Sequence, residues 1–259
     1  MIDELNNARQ LLEGPPGHVH FVGIGGVGMA GLAFQLKQKG FCVSGCDQQR
    51  NALTAWLTAA GIDVRSGHDP AHLAGVDFVV RTTAVRPEHP EIRAALARGL
   101  PILQRGIVLA AFLSNRAAII VCGTHGKTTT AAMLTQILMA AGRDPSYCIG
   151  GESALLRAAG AGQGDCVVAE ADESDGTLAG YTSDVAVVTN IEFDHAEHFA
   201  GLAVLRACFA DMLRQVRRGI VYCADDPEAR ALCRGRARAV SYGLAPAADW
   251  RAAAIEETA

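Results

Sequence analysis

Gly123-Thr124-His125-Gly126-Lys127-Thr128-Thr129 sets a glycine turn, an ammonium and a run of hydroxyls side by side. Backbone N–H groups of such a turn can cradle phosphate. Lys127 adds a mobile positive charge, and the Thr128 hydroxyl can ligate a metal riding on the phosphates. That is the chemistry of a nucleoside triphosphate site. In the usual spacing G-x-x-x-x-G-K-[ST] the first glycine would fall at position 121, which is Val121; the nearest is Gly123. The bland alternative is a strand-to-helix turn that happens to carry Gly-Lys-Thr, which the flanking strand and helix disfavour.

A second turn, Gly23-Ile24-Gly25-Gly26-Val27-Gly28, has the form G-x-G-x-x-G, and Asp47 follows where an acid can bind a ribose hydroxyl. A dinucleotide is the obvious ligand, although any diphosphate can occupy such a turn. Glycines serving only tight packing are the alternative. Glu170-Ala171-Asp172-Glu173-Ser174-Asp175 puts four acids in six residues, which repel unless a cation is present. Glu170, directly after an apolar run, is the expected magnesium ligand, with Glu173 and Asp175 only partly engaged. The bland reading is a solvated acidic turn. Downstream, Asn190, His195 and His198 lie among three acids in a spacing that fits no common zinc motif; magnesium or manganese held by one imidazole is more economical. His68 and His72 stand four apart, but Pro70 between them disfavours a helix face. They read as solvent-exposed histidines, with His68 able to reach a ligand from its loop.

These groups need a scaffold, and the pattern around them supplies one. The apolar run Ala118–Val121 reads as a buried strand and residues 131–139 as a helix, the geometry in which a helix N-terminus faces an anion. Strands are predicted at 18–22, 41–46, 77–80, 101–103, 166–169, 185–188, 219–223 and 238–241, and helices at 29–39, 51–60, 88–98, 106–113, 202–217 and 226–234. The alternation specifies an α/β fold with parallel sheets, whose ligands gather at the strands' carboxyl ends, beside Asp47, Thr82 and Thr83. Residues 1–17 read as a short helix and a Gly/Pro turn. Residues 158–164 read as a flexible connection, and the chain after Leu244 shows no closing element. The expected organisation is a Rossmann-like domain over 1–114 and a phosphate-loop α/β domain over 115–259.

The chain has 259 residues, half of them apolar and 19% charged, enough for real cores. A net charge of −4 without like-charge blocks argues against nucleic acid or an anionic membrane as the main partner. No apolar run approaches spanning length, and no leader-like segment opens the chain. Eight cysteines without a C-x-x-C pair read as buried thiols in a reducing cytoplasm.

The glycine turn 23–28, the loop Gly123–Thr130, Glu170–Asp175 and Thr189-Asn190-Ile191-Glu192-Phe193-Asp194-His195 occur in the order seen in the Mur ligases, which the chain resembles from about residue 18 to 240. That family's phosphate loop, G-T-x-G-K-[ST], accounts for the displaced first glycine. The resemblance implies an ATP-dependent C–N ligase of peptidoglycan synthesis that works through an acyl phosphate. Its substrates would be UDP-N-acetylmuramate, ATP and L-alanine, with Mg²⁺ (or Mn²⁺) as cofactor. It implies a UDP-sugar site at Gly23, Gly25, Gly26, Val27, Gly28, Asp47, His68, Thr82 and Thr83, not an NAD site. It further implies an ATP site at Gly123, Thr124, His125, Gly126, Lys127, Thr128, Thr129 and Asn190. Thr128, Glu170 and His195 would hold the metal, and Lys127, Glu170 and His195 would be catalytic. Family members carry a further C-terminal domain, so the sequence reads as an amino-terminal portion whose activity alone is doubtful. Residues 190–199 also resemble the branch that recycles murein peptides, whereas the glycine turn and Glu173-Ser174-Asp175-Gly176 favour the L-alanine branch. Some members use a carbamylated lysine after the histidine motif; here Arg206 is the basic residue of that helix, and arginine cannot play the part. An NAD-dependent oxidoreductase and a non-catalytic nucleotide-binding module are the rival classes.

Overall fold

The computed structural model describes residues 1–152, 155–194 and 199–255. The expectations for His195 and His198 fall outside the described residues.

The first sheet contains β1 (His18–Val22), β2 (Cys42–Asp47), β3 (Asp63–Ser66), β4 (Phe78–Arg81) and β5 (Ile102–Gln104), in the order β3-β2-β1-β4-β5. All its pairings are parallel. β1, β2 and β4 are almost wholly buried, as expected of parallel strands covered on both faces, and the polar His20 and Ser44 are buried with them. The helices are α1 (Ile2–Glu13), α2 (Val27–Gln38), α3 (Ala52–Ala59), α4 (Pro90–Ala97) and α5 (Arg105–Leu113). Local chemistry starts them. Asn51 and Thr54 form a capping box on α3, and Pro90 opens α4 where its missing N–H costs nothing. The strand order reverses at β1, so the turn after β1 and the end of β4 face one crevice.

The second sheet contains β6 (Ala117–Cys122), β7 (Ser146–Cys148), β8 (Ala159–Gly160), β9 (Cys166–Glu170), β10 (Ser183–Val188), β11 (Val216–Cys223), β12 (Ala239–Gly243) and β13 (Trp250–Arg251). Its order is β13-β12-β11-β10-β6-β9-β7-β8, parallel except for the β7–β8 pair. Among the described residues the helices that accompany it are α6 (Lys127–Ala140), α7 (Leu202–Leu213) and α8 (Pro227–Cys233). The central strand β6 pairs Val121 with Glu170 on one side and Cys122 with Val188 on the other. This register brings the phosphate loop, the acidic segment and Thr189-Asn190 to one edge. Among the described residues no helix is long and apolar enough to cross a membrane.

Several local expectations are corrected. The helix expected over 202–217 ends at Leu213, and β11 begins at Val216. Residues 158–164 hold the edge strand β8 instead of a flexible link. Gly162 and Gly164 lie there because a Cβ would strike the Asp144 and Arg143 carbonyls at 2.1 and 1.9 Å. The chain after Leu244 does close the sheet, through Trp250–Arg251 on β12.

Helix α5 ties the two sheets together. Gly106 to Leu113 are all buried, α1 packs Leu5, Ala8 and Leu12 inward, and one apolar cluster runs from Phe21 and Leu32 through Leu109 to Ile120 and Phe209. Each fully buried large side chain in it contributes about 1.5–3 kcal/mol. Gly106 marks the closest approach, since a Cβ there would lie 1.9 Å from Thr177 Oγ1.

Candidate functional site

The phosphate loop is shaped by two glycines and clamped by one asparagine. Gly126 caps α6 in the left-handed region, at φ 79°. Gly123 has φ 133°, and a Cβ there would meet Thr189 Oγ1 at 2.1 Å and the Asn190 carbonyl at 2.7 Å. Asn190 Oδ1 accepts from His125 N at 2.9 Å while its Nδ2 donates to the His125 carbonyl at 3.0 Å. Thr124 Oγ1 donates to the Glu192 carbonyl and accepts from Glu192 N. The side chains of Asn190 and Thr124 therefore hold the loop's shape, and Thr129 lies exposed on the first turn of α6.

Lys127 Nζ donates to the Gly123 carbonyl at 2.6 Å and to Glu173 Oε2 at 2.9 Å. Glu173 is buried, and burial pushes its pKa up against the pull of Lys127. Glu170 Oε2 accepts from Thr128 Oγ1 at 3.1 Å, and its Oε1 accepts from Gly150 N at 2.5 Å. Burial raises the pKa of Glu170, outweighing these bonds and the nearby Lys127. A carboxylate whose charge is disfavoured by desolvation, beside a hydroxyl at a helix N-terminus, is a place where a cation is welcome. Gly150 and Gly151 roof the pair: a Cβ on either would come within 2.7 Å of Glu170 Oε2 or 2.9 Å of Thr128 Cγ2.

The acidic segment is not a solvated turn. Glu173 and Asp175, expected to be only partly engaged, are ion-paired to Lys127 and to Arg105 at 2.9 Å each. Arg105 Nη2 also reaches Asp172 at 3.3 Å. A Cβ on Gly28 would touch Arg105 Cδ at 3.1 Å, so the guanidinium lies between the first glycine turn and the acids.

In the first turn, Gly23 (φ 81°) and Ile24 donate to the Cys46 carbonyl. Gly25 N donates to Asp47 Oδ2 at 2.9 Å, and Asn51 Nδ2 to the Gly25 carbonyl at 3.0 Å. Gly26 caps α2, and Val27 and Gly28 open it. Asp47 thus braces the turn and also lines an outer cavity with Gly23, His68 and Val85. Neither His68 nor His72 is solvent-exposed, contrary to the expectation: His68 Nδ1 lies 3.2 Å from Cys46 Sγ and His72 Nδ1 2.8 Å from the buried Glu91. Thr82 Oγ1 accepts from Ala84 N, and Thr82 and Thr83 border Arg105 and Asp172.

The two turns share a cleft of about 250 Å³. One wall is Gly26–Met29, Thr82 and Arg105; the other is Lys127, Cys148–Gly150, Glu170 and Asp172. Residues 18–117 match the Mur ligase family catalytic domain and residues 121–259 the Mur ligase middle domain. The chain belongs to the Mur ligase family. This Mur ligase is 47% identical over 245 residues to the UDP-N-acetylmuramate–L-alanine ligase of Symbiobacterium thermophilum, covering 90% of the present chain and 51% of that relative. Its fold superposes on the UDP-N-acetylmuramate-alanine ligase of Thermotoga maritima with a TM-score of 0.80 at 31% identity, covering 88% and 52% of the two chains. A TM-score of 0.79 at 31% identity relates it to the UDP-N-acetylmuramate:L-alanyl-gamma-D-glutamyl-meso-diaminopimelate ligase of Neisseria meningitides, covering 88% and 78%. The chain spans about half the length of the curated relatives it matches.

Sequence reasoning overlooked Arg105, Gly150 and Gly151 in this Mur ligase. Arg105 follows a strand end and faces acids 67 and 70 residues away, so no local pattern announces it. The glycine pair after β7 was the one available signal.

Proposed function

We propose that this Mur ligase chain carries the sugar-nucleotide and ATP sites of a cytoplasmic ligase that joins L-alanine to UDP-N-acetylmuramate in peptidoglycan synthesis. The division into a UDP-sugar domain at 1–114 and an ATP domain at 115–259 belongs to the same reading. The observation that carries it is the shared cleft, where the N-termini of α2 and α6 open toward one space. Two helix N-termini facing each other suit two anionic ligands whose reactive ends must meet. Relatives 42–47% identical are named for the L-alanine reaction, which supports that branch over the peptide-recycling one.

A carboxylate is a poor electrophile. Phosphoryl transfer from ATP makes it an acyl phosphate, with ADP leaving, and an amine then attacks the carbonyl and expels phosphate. In this reading the 23–28 turn holds the diphosphate of UDP-N-acetylmuramate, Asp47 and His68 lie toward the uridine, and Thr82 and Thr83 toward the sugar. The 123–129 loop holds the ATP phosphates with Lys127 as the mobile charge. Glu170 and Thr128 are hard oxygen donors in a glycine-roofed cradle, which fits Mg²⁺, and His195 would complete the set. Bound there, Mg²⁺ supplies charge neutralisation for the transferring phosphoryl group. Lys127, Glu170 and His195 are the residues assigned to the chemistry.

Calorimetric titration tests the reading. UDP-N-acetylmuramate and Mg-ATP should each saturate at one per chain, with NADH silent. Saturation by NADH without a response to the sugar nucleotide would overturn it in favour of an oxidoreductase. Mg-ATP binding alone would reduce the chain to a nucleotide-binding module.

A further inference from the structure

Behind the first glycine turn, four of the chain's eight histidines (20, 68, 72 and 89) gather with Cys46 around the buried carboxylate of Glu91. Glu91 Oε2 accepts from His20 Nε2 at 3.3 Å and from Cys46 Sγ at 2.9 Å. Its Oε1 accepts from His72 Nδ1 at 2.8 Å and from Asp69 N at 2.9 Å. His20, Cys46 and Glu91 are completely buried, and the His72 side chain is 12% exposed. The donor atoms of these four residues all lie within 4.8 Å of one another.

We propose that His20, Cys46, His72 and Glu91 form a closed, tetrahedral site for a thiophilic divalent cation, Zn²⁺ by preference, separate from the nucleotide site. One thiolate, two imidazoles and one carboxylate are donors of the type zinc takes, and a poor set for a hard ion such as Mg²⁺. Zinc–ligand bonds of about 2.0–2.3 Å place tetrahedral donors about 3.3–3.6 Å apart. The present contacts of 2.8–3.3 Å and the 4.8 Å limit bracket that range, so rotation of side chains already facing one centre makes the site.

Charge and orientation both agree. A dication, a thiolate, a carboxylate and two neutral imidazoles sum to zero, the condition for a metal site that water does not reach. As the metal–sulfur bond forms, the Cys46 S–H bond breaks and its proton passes to buffer. The supporting contacts are in place. His20 Nδ1 lies 2.9 Å from Ser44 Oγ, which His18 Nε2 also reaches at 2.8 Å, and this directs His20 Nε2 to the centre. Alongside, His68 packs edge-on to His89 at 4.2 Å between ring centroids, and both ring nitrogens of His89 are buried without a hydrogen-bond partner among the described residues. No sequence motif marks the set, because its members come from β1, β2, the short turn Pro70–Leu73 and α4.

Such an ion would pin four elements at the root of the sugar-nucleotide turn. The Cys46 carbonyl accepts from Gly23 N and Ile24 N at 2.9 and 3.0 Å, and the adjacent Asp47 takes Gly25 N. The proposal stands on these contacts independently of the ligase reading.

The test uses the full chain stripped by a chelator and titrated with Co²⁺ in Mg²⁺-containing buffer. One Co²⁺ per chain should remain through dialysis. It should show tetrahedral d–d bands and a thiolate-to-cobalt charge-transfer band, be displaced by Zn²⁺, and raise the thermal midpoint. Cys46→Ser should remove the charge-transfer band. Ser44→Ala, which removes the hydroxyl that orients His20 and meets His18 but touches no metal-donor atom, should weaken Co²⁺ binding by about 10–100-fold. His72→Asn, at the partly exposed ligand, should abolish tight binding with the fold intact, and it decides the matter if Cys46→Ser fails to fold. Absence of tight Co²⁺ binding overturns the proposal. So does a charge-transfer band that survives Cys46→Ser, or Co²⁺ affinity unchanged in His72→Asn.

Discussion

Replacing Arg105 with methionine keeps most of the side-chain stem and removes the charge that joins the first glycine turn to the acidic segment. The guanidinium reaches Asp175 at 2.9 Å and Asp172 at 3.3 Å, with the three side chains 14%, 7% and 35% exposed. Water screens the Asp172 pair, which is worth under about 1 kcal/mol. Removing one partner of a buried pair costs about 3–5 kcal/mol when the other charge is stranded. Asp175 is not stranded, since it still accepts from Thr177 N at 3.0 Å and from the Thr177 hydroxyl. The loss should therefore fall to about 1.5–3 kcal/mol, the value of a charged hydrogen bond. At about 2–4 °C per kcal/mol for a domain of this size, the thermal midpoint should drop by about 3–12 °C. Far-UV circular dichroism measures the shift, and a cycle with Asp175→Asn isolates the pair. The double variant should be more stable than the sum of the single losses. Losses that add to within about 0.5 kcal/mol would refute the buried coupling.

Lys127→Ala should weaken ATP binding by about 10- to 100-fold, from a charged contact worth about 1.5–3 kcal/mol, and leave sugar-nucleotide binding intact. Calorimetry checks both, and unchanged ATP affinity removes the loop from the account. Glu170→Gln keeps the shape but loses the charge a hard cation prefers, so ATP affinity should fall at low Mg²⁺ and partly recover as Mg²⁺ rises. Equal binding across the magnesium series would leave Glu170 without a metal role. Gly106→Ala drives a Cβ to within 1.9 Å of Thr177 Oγ1 and 2.5 Å of Asp175 Oδ2, and should cost about 1–3 kcal/mol in urea unfolding. A neutral result would mean that α5 is not seated against the 175–177 turn.

What was legible in the sequence was local. The turn at 23–28, the loop at 123–129 and the acids after Ala169 each sit where an apolar run stops, and a parallel sheet brings strand ends together whatever the intervening length. The register Val121↔Glu170 and Cys122↔Val188 sets those strand ends level. The short strands at 146–148, 159–160 and 250–251 were illegible because two or three residues carry no period. Glu173 read as only partly engaged because its partner Lys127 lies 46 residues earlier. Asn190 was expected at the ATP site; that its side chain also clamps His125 is set by loop geometry alone and has no local sequence signal. His68 and His72 read as solvent-exposed, but the turn at Pro70 sends them inward to different partners, Cys46 and Glu91.

The central claim is that the reactive ends of two nucleotides meet between Gly26–Gly28 and Lys127–Glu170. Paramagnetic relaxation measures this directly, with Mn²⁺ replacing Mg²⁺ on bound ATP and UDP-N-acetylmuramate observed by proton NMR. The lactyl methyl, next to the carboxylate, should relax much faster than the uracil ring protons, which the account places toward Asp47 and His68 in the outer cavity. Uracil protons relaxing as fast as the methyl, or faster, would contradict the arrangement.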